Sequence, residues 1–154
     1  MITSDEALAN VELFRGICSK GLSRVAAVTS EQSYGPGEVI FREGDAGSTL
    51  YIILEGKVRI SRTVPGMGEE ALAVLAAGAS FGEMALIEDA PRSADAIAHE
   101  RCGLLAISKL AIEELLFVDK ELAYEVLWNA VRILSKRLRA TNDKMTFMTL
   151  SARF

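Results

Sequence analysis

The order of apolar and polar positions divides the chain into three textures. Over residues 5–30, Leu8, Val11, Leu13, Phe14, Ile17, Leu22, Val25 and Ala26 recur at helical spacing. Phe14-Arg15-Gly16 breaks that pattern, so residues 1–33 read as short helices. From Tyr34 to Ile107 the apolar runs shrink to strand length. Val39–Phe41, Thr49–Leu54, Val58 with Ile60, Ala71–Leu75, Ala94–Ala98 and Gly103–Ile107 are separated by glycine-bearing or polar turns. These include Tyr34-Gly35-Pro36-Gly37, Glu43-Gly44-Asp45, Glu55-Gly56, the polar loop Pro65–Glu70 and Gly78. Short strands every ~8–12 residues predict a mainly β fold with flanking α, a sandwich or jelly-roll barrel over residues 34–107.

From Ser108 onward the chain has neither proline nor glycine and turns helical again. Ser108 is placed to cap a helix whose apolar face takes in Leu110, Leu115 and Leu116. Beyond it, Tyr124, Leu127, Val131, Leu134, Leu138, Thr141, Met145 and Met148 alternate spacings of three and four. That heptad predicts a seam with a second copy of the same helix, a homodimer through residues 124–148. The competing arrangement is a long helix laid on its own barrel.

Composition narrows the classes. With 154 residues, 50% hydrophobic and 25% charged, the chain suits one folded domain, 1–154, and not a disordered segment. No apolar run nears the ~18 residues a membrane-spanning helix requires, and the N-terminus carries no signal-peptide pattern. The expectation is a cytoplasmic protein without a membrane role. A net charge of −4 argues against general binding to nucleic acid, and the basic residues Arg132, Lys136, Arg137, Arg139 and Lys144 read as a solvated helix flank. Cys18 and Cys102 form no CxxC and read as buried, inert thiols. With His99 as the only histidine and no G-x-S-x-G, neither a metal centre nor an enzyme is expected.

The chemistry concentrates in residues 81–94, Phe81-Gly82-Glu83-Met84-Ala85-Leu86-Ile87-Glu88-Asp89-Ala90-Pro91-Arg92-Ser93-Ala94. A single helical turn after Gly82 would present free backbone amides to an anion. Arg92 offers a guanidinium fork suited to a phosphate, and Ser93 adds a hydroxyl. Glu83 is acceptor-only, fit for a sugar hydroxyl and hostile to a second phosphate. Residue by residue, the stretch fits equally well a surface loop with an Arg92–Glu83 or Arg92–Glu88 ion pair.

Taken whole, the stretch resembles the phosphate-binding cassette of the cyclic nucleotide-binding domain family, F-G-E-[aliphatic]-[AS]-L followed by P-R-[STA]-A. Gly37-Glu38-Val39-Ile40, Glu43-Gly44-Asp45 and Leu50–Val58 extend the resemblance over most of the chain. It implies a β-jelly-roll (double-stranded β-helix) with short N-terminal helices and C-terminal helices over residues 108–154, among them a long dimerisation helix. It further implies that Arg92, Ser93 and the amides of Gly82, Met84 and Ala85 hold a cyclic phosphate. Glu83 would accept the ribose 2′-OH, and Ile60 and Leu72 would pack the base. Ser93, where cGMP binders tend to carry threonine, leans the ligand to cAMP, with cGMP or a cyclic dinucleotide as alternatives. Arg137-Leu138-Arg139-Ala140-Thr141-Asn142 resembles the place where the catabolite activator branch carries a Thr-Ser pair on the adenine, so Arg137, Thr141 and Asn142 are candidates to lid the base. That branch continues into a helix-turn-helix, for which this sequence leaves no residues. The expectation is therefore a cAMP receptor that signals through an effector protein and not by direct DNA contact. A degenerate, non-binding scaffold of the same fold is the other possibility.

Overall fold

A computed structural model describes residues 4–82 and 90–152. The chain opens with α1 (Ser4–Ala9), a 3-10 turn (Glu12–Phe14) and α2 (Ser19–Ala26). Eight strands follow: β1 (Ser30–Tyr34), β2 (Val39–Phe41), β3 (Thr49–Glu55), β4 (Lys57–Val64), β5 (Gly68–Ala76), β6 (Ser80–Phe81), β7 (Asp95–Ala98) and β8 (Cys102–Ser108). The helices α3 (Lys109–Val118) and α4 (Lys120–Ala152) close the chain. The strands form two antiparallel four-stranded sheets, ordered β1-β8-β3-β6 and β2-β7-β4-β5. This is the expected jelly-roll with flanking helices.

The unbroken apolar runs of β3 and β8 have a simple physical reason. Successive side chains of a strand point to opposite faces, so a strand covered on both sides must be apolar throughout. Leu50 and Ile52 of β3, with Leu105 and Ile107 of β8, face a core built from Leu8, Phe14, Val25, Ile112, Leu122 and Val126 of the helices. Tyr51, Ile53, Leu104 and Ala106 face the other way, into a core between the sheets with Val58, Phe81 and Ala96. Each fully enclosed leucine or isoleucine contributes roughly 1.5–3 kcal/mol through burial.

Several expectations are corrected. Ser30–Ser33, placed among the N-terminal helices, form with Tyr34 an edge strand paired with β8 from Ser30↔Ala106 to Tyr34↔Cys102. The β4–β5 hairpin extends through much of the anticipated polar loop, turning near Gly66 with Val64 opposite Gly68. Cys18 is exposed, whereas Cys102 is buried and both are free. Ser108 does cap α3, its Oγ accepting from the Ala111 amide at 3.1 Å. Leu110, however, points to solvent, because Ile112 with Leu115 and Leu116 sets the buried phase of that helix.

The 33-residue α4 divides its apolar positions between two faces. Leu122, Val126, Asn129 and Ile133 pack on the domain. Asn129 fastens the helix by donating from Nδ2 to the carbonyls of Leu13 and Arg15, both at 2.9 Å. Most of the heptad stripe, Tyr124, Leu127, Val131, Leu138, Met145 and Met148, is exposed instead. Only Leu134 of its leucines is half-buried. No described helix is long and apolar enough to cross a membrane.

Candidate functional site

The loop between β2 and β3 and the segment leading into β7 are stitched together by main-chain bonds. The Gly44 amide donates to the Arg92 carbonyl and the Arg92 amide to the Asp45 carbonyl, each at 2.8 Å. Ala46 bridges Pro91 beside them. The loop is anchored in turn by the buried Asp95 carboxylate, which accepts from the Glu43 amide at 2.7 Å and from Arg42 Nη1 at 3.4 Å. A short-range turn thus fixes the backbone of a residue distant in sequence.

This frame delivers the Arg92 side chain to a defined place. Nη2 donates to the Thr49 carbonyl at 2.8 Å, and the guanidinium carbon lies 4.1 Å from the centre of the Phe41 ring. Phe41 belongs to an aromatic cluster with Tyr51 and Phe81, the last two stacked at 5.1 Å. Gly82 has φ +80°, and a Cβ there would meet Arg92 Nη1 at 2.7 Å and the Thr49 carbonyl oxygen at 2.9 Å. Glycine is therefore required at this position both for its backbone conformation and for the close approach. Arg92 Nε is enclosed without a hydrogen-bond partner. Among the described residues no carboxylate stands within ion-pair distance of the guanidinium. Burial pushes Arg92 below its ordinary value, opposed by the fields of Tyr51 and Asp45. A desolvated cation without a carboxylate partner among the described residues is an arrangement that an anion would stabilise.

Arg92 lines a cavity of about 500 Å³ bounded by both the barrel and α4. Ser93 is on its wall, with its carbonyl held by Arg62 Nη2 at 3.0 Å and Nε at 3.2 Å. Ile60 and Leu72, read as base-packing residues, also line it, together with Ala73 and Leu75. Gly82 lines it as well. Helix α4 contributes Arg137, Ala140, Thr141 and Lys144. Arg137 Nη2 donates to the Ser80 carbonyl at 3.0 Å, and burial lowers its pKa from the usual arginine value, opposed by Glu12.

The sequence candidates therefore converge, with exceptions. Glu83, Met84 and Ala85 lie outside the described residues. Asn142 is exposed and not on the cavity wall, whereas Thr141 is on it, its hydroxyl donating to the Arg137 carbonyl at 2.9 Å. The basic residues of α4 are not a uniform solvated flank: Lys136 pairs with Glu12 at 2.7 Å, and Arg137 and Lys144 reach the cavity. Phe41 and Lys144 were not anticipated at the site. The spacing 137, 141, 144 is that of one helix face and carried the signal for Lys144. Nothing local marks Phe41 as other than a strand residue.

The model of the cyclic nucleotide-binding domain matches residues 31–119. A cyclic AMP receptor protein from Thermus thermophilus is 34% identical over 137 residues, covering 89% of this chain and 62% of that protein. The chain thus spans less than two thirds of the length of that relative. The N-terminal domain of a transcriptional regulator from Streptomyces coelicolor superposes with a TM-score of 0.76 at 34% identity, covering 90% of this chain and 94% of that one. The regulatory domain of Toxoplasma gondii PKA, crystallised with cAMP, gives a TM-score of 0.72 at 26% identity, covering 89% and 49%.

Proposed function

Since the chain belongs to the cyclic nucleotide-binding domain family, we propose that it is a receptor for a cyclic nucleotide, cAMP in the first instance, and not an enzyme. The observation that carries this reading is Arg92, half-buried, desolvated and without a carboxylate partner among the described residues, at the wall of a cavity otherwise lined largely by apolar side chains. A cyclic phosphate carries about one negative charge, which one guanidinium and a few backbone amides match. Ser93 stands beside it, and Glu83 is assigned the ribose 2′-OH. Ile60 and Leu72 supply an apolar slot for a purine, with Thr141 and Arg137 above it and Asn142 next to Thr141 on the helix.

Signalling then follows from linkage. A ligand contacting both the Arg92 segment and α4 favours the arrangement in which the two are held together, and shifts the population by its differential affinity. The exposed heptad stripe of α4 supports self-association through residues 124–148. Output through a protein partner, not through direct DNA contact, is the favoured route. A cytoplasmic setting suits such a sensor.

Competition calorimetry with cAMP, cGMP and cyclic di-GMP tests the reading. Saturable binding with cAMP preferred over cGMP is the expected result. Preference for cGMP or the dinucleotide would replace the ligand, and no binding to any of them would leave a scaffold of this fold.

A further inference from the structure

The Arg92 side chain meets two residues that belong to neither the cassette nor α4. One is Phe41, whose ring centre lies 4.1 Å from the guanidinium carbon. The other is Gly47, whose bare Cα is also against it. A Cβ built on Gly47 would meet Arg92 Nε at 2.6 Å, Cδ at 2.8 Å and Cζ at 2.9 Å, and these are its nearest neighbours. The φ angle of Gly47 is not in the left-handed region, so its backbone conformation alone does not demand glycine. The close approach is what matters: a side chain at this position would displace the Arg92 guanidinium. The same approach explains why Nε is enclosed yet has no acceptor.

We infer that Phe41 and Gly47 are positioning residues, a clamp that fixes the plane of the Arg92 guanidinium so that Nη1 is left for an anion while Nη2 stays on the Thr49 carbonyl. This rests on the ligand reading above, and concerns how the anion-binding fork is held ready before ligand arrives. A flexible arginine would lose rotamer freedom on binding, and a pre-oriented one has already lost it. The aromatic face adds a cation–π attraction, and the planar guanidinium stacks on it in a way that a compact ammonium does not.

The test uses the whole chain and the variants Phe41→Leu, Phe41→Tyr, Gly47→Ala and Arg92→Ala, with the doubles F41L/R92A and G47A/R92A. Calorimetry with cAMP should show about tenfold weaker binding for Phe41→Leu and for Gly47→Ala, the loss expected for a displaced cation–π contact. Phe41→Tyr should restore binding. In the Arg92→Ala background neither change should weaken binding further, because there is no guanidinium left to aim. General damage to the barrel would still add to the loss there, and that additivity would overturn the inference.

A second readout needs no nucleotide. The Arg92 Nε–Hε signal in a ¹⁵N spectrum, assigned by its loss in Arg92→Ala, should be shifted by the Phe41 ring. It should move or broaden in Phe41→Leu and Gly47→Ala and return in Phe41→Tyr. A signal unmoved in both variants would overturn the clamp even if cAMP binds. A wild-type protein that shows the shifted signal but binds no cyclic nucleotide would instead overturn the ligand reading, and with it the positioning role.

Discussion

Arg137 Nη2 donates to the Ser80 carbonyl at 3.0 Å, so helix α4 is tied to the strand that leads directly into Gly82. The two ends of the site are thereby coupled through the protein itself. Arg137→Ala should remove that tie and weaken cAMP binding by roughly 1.5–3 kcal/mol, the range for a hydrogen bond made by a charged group. Calorimetry on the folded variant checks this, and an affinity equal to wild type would exclude Arg137 from the binding mechanism.

Arg92 should matter more. Truncation to alanine leaves the phosphate without its only assigned cation, a loss of about 2–5 kcal/mol by analogy with other interfacial charge pairs. Arg92→Lys keeps the charge but not the fork, which cannot bond Thr49 and the anion in the same plane, and should fall between wild type and alanine. A lysine variant that binds as tightly as wild type would show that charge alone is being recognised.

Much of this arrangement was readable from residue order, and the gaps have physical causes. Thr49–Leu54 and Gly103–Ile107 are strands by composition, and their continuous apolar character follows from burial on both faces. Ser30-Glu31-Gln32-Ser33 is too polar to announce a strand. It becomes one because the backbone of β8 offers it an edge to pair with, an attraction that side-chain pattern does not report. The same holds at the site. Pro91, Arg92 and Ser93 are adjacent in sequence, so their joint chemistry is visible there. Phe41, Gly47 and the Thr49 carbonyl reach Arg92 only through the Ala46–Pro91 bridge and its flanking main-chain bonds, which no local spacing encodes.

The heptad stripe yields a prediction that the fold makes cleaner. Leu127 and Leu138 are 55% and 62% exposed in the single chain, so an aspartate at either position costs the monomer little. Leu134, half-buried, would be a less specific choice. Leu127→Asp with Leu138→Asp should convert a dimer to a folded monomer in sedimentation experiments, with the thermal melt of the monomer cooperative. An intact dimer would show that another surface joins the copies.

Asp119 links the start of α4 to α2. Its Oδ1 accepts from the Leu122 amide at 3.1 Å, and Arg24 Nη1 donates to its Oδ2 at 2.6 Å. The Leu122 amide first, and then Arg24, hold this carboxyl below the usual aspartate value. A carboxylate whose pKa is lower folded than unfolded stabilises the fold above the unfolded value, and that contribution is lost as pH falls through the folded one. Asp119→Asn keeps an oxygen for the cap but cannot ionise, and so gives up the Arg24 pair. At neutral pH the wild type should therefore melt above Asp119→Asn. The gap should close as the solution is acidified past the ordinary carboxylate range, where the wild-type side chain is protonated as well. Melting curves for both proteins across that acid range check the assignment. A gap that stays constant into strong acid would mean that Asp119 acts through packing, and that its charge contributes nothing to the α2–α4 junction.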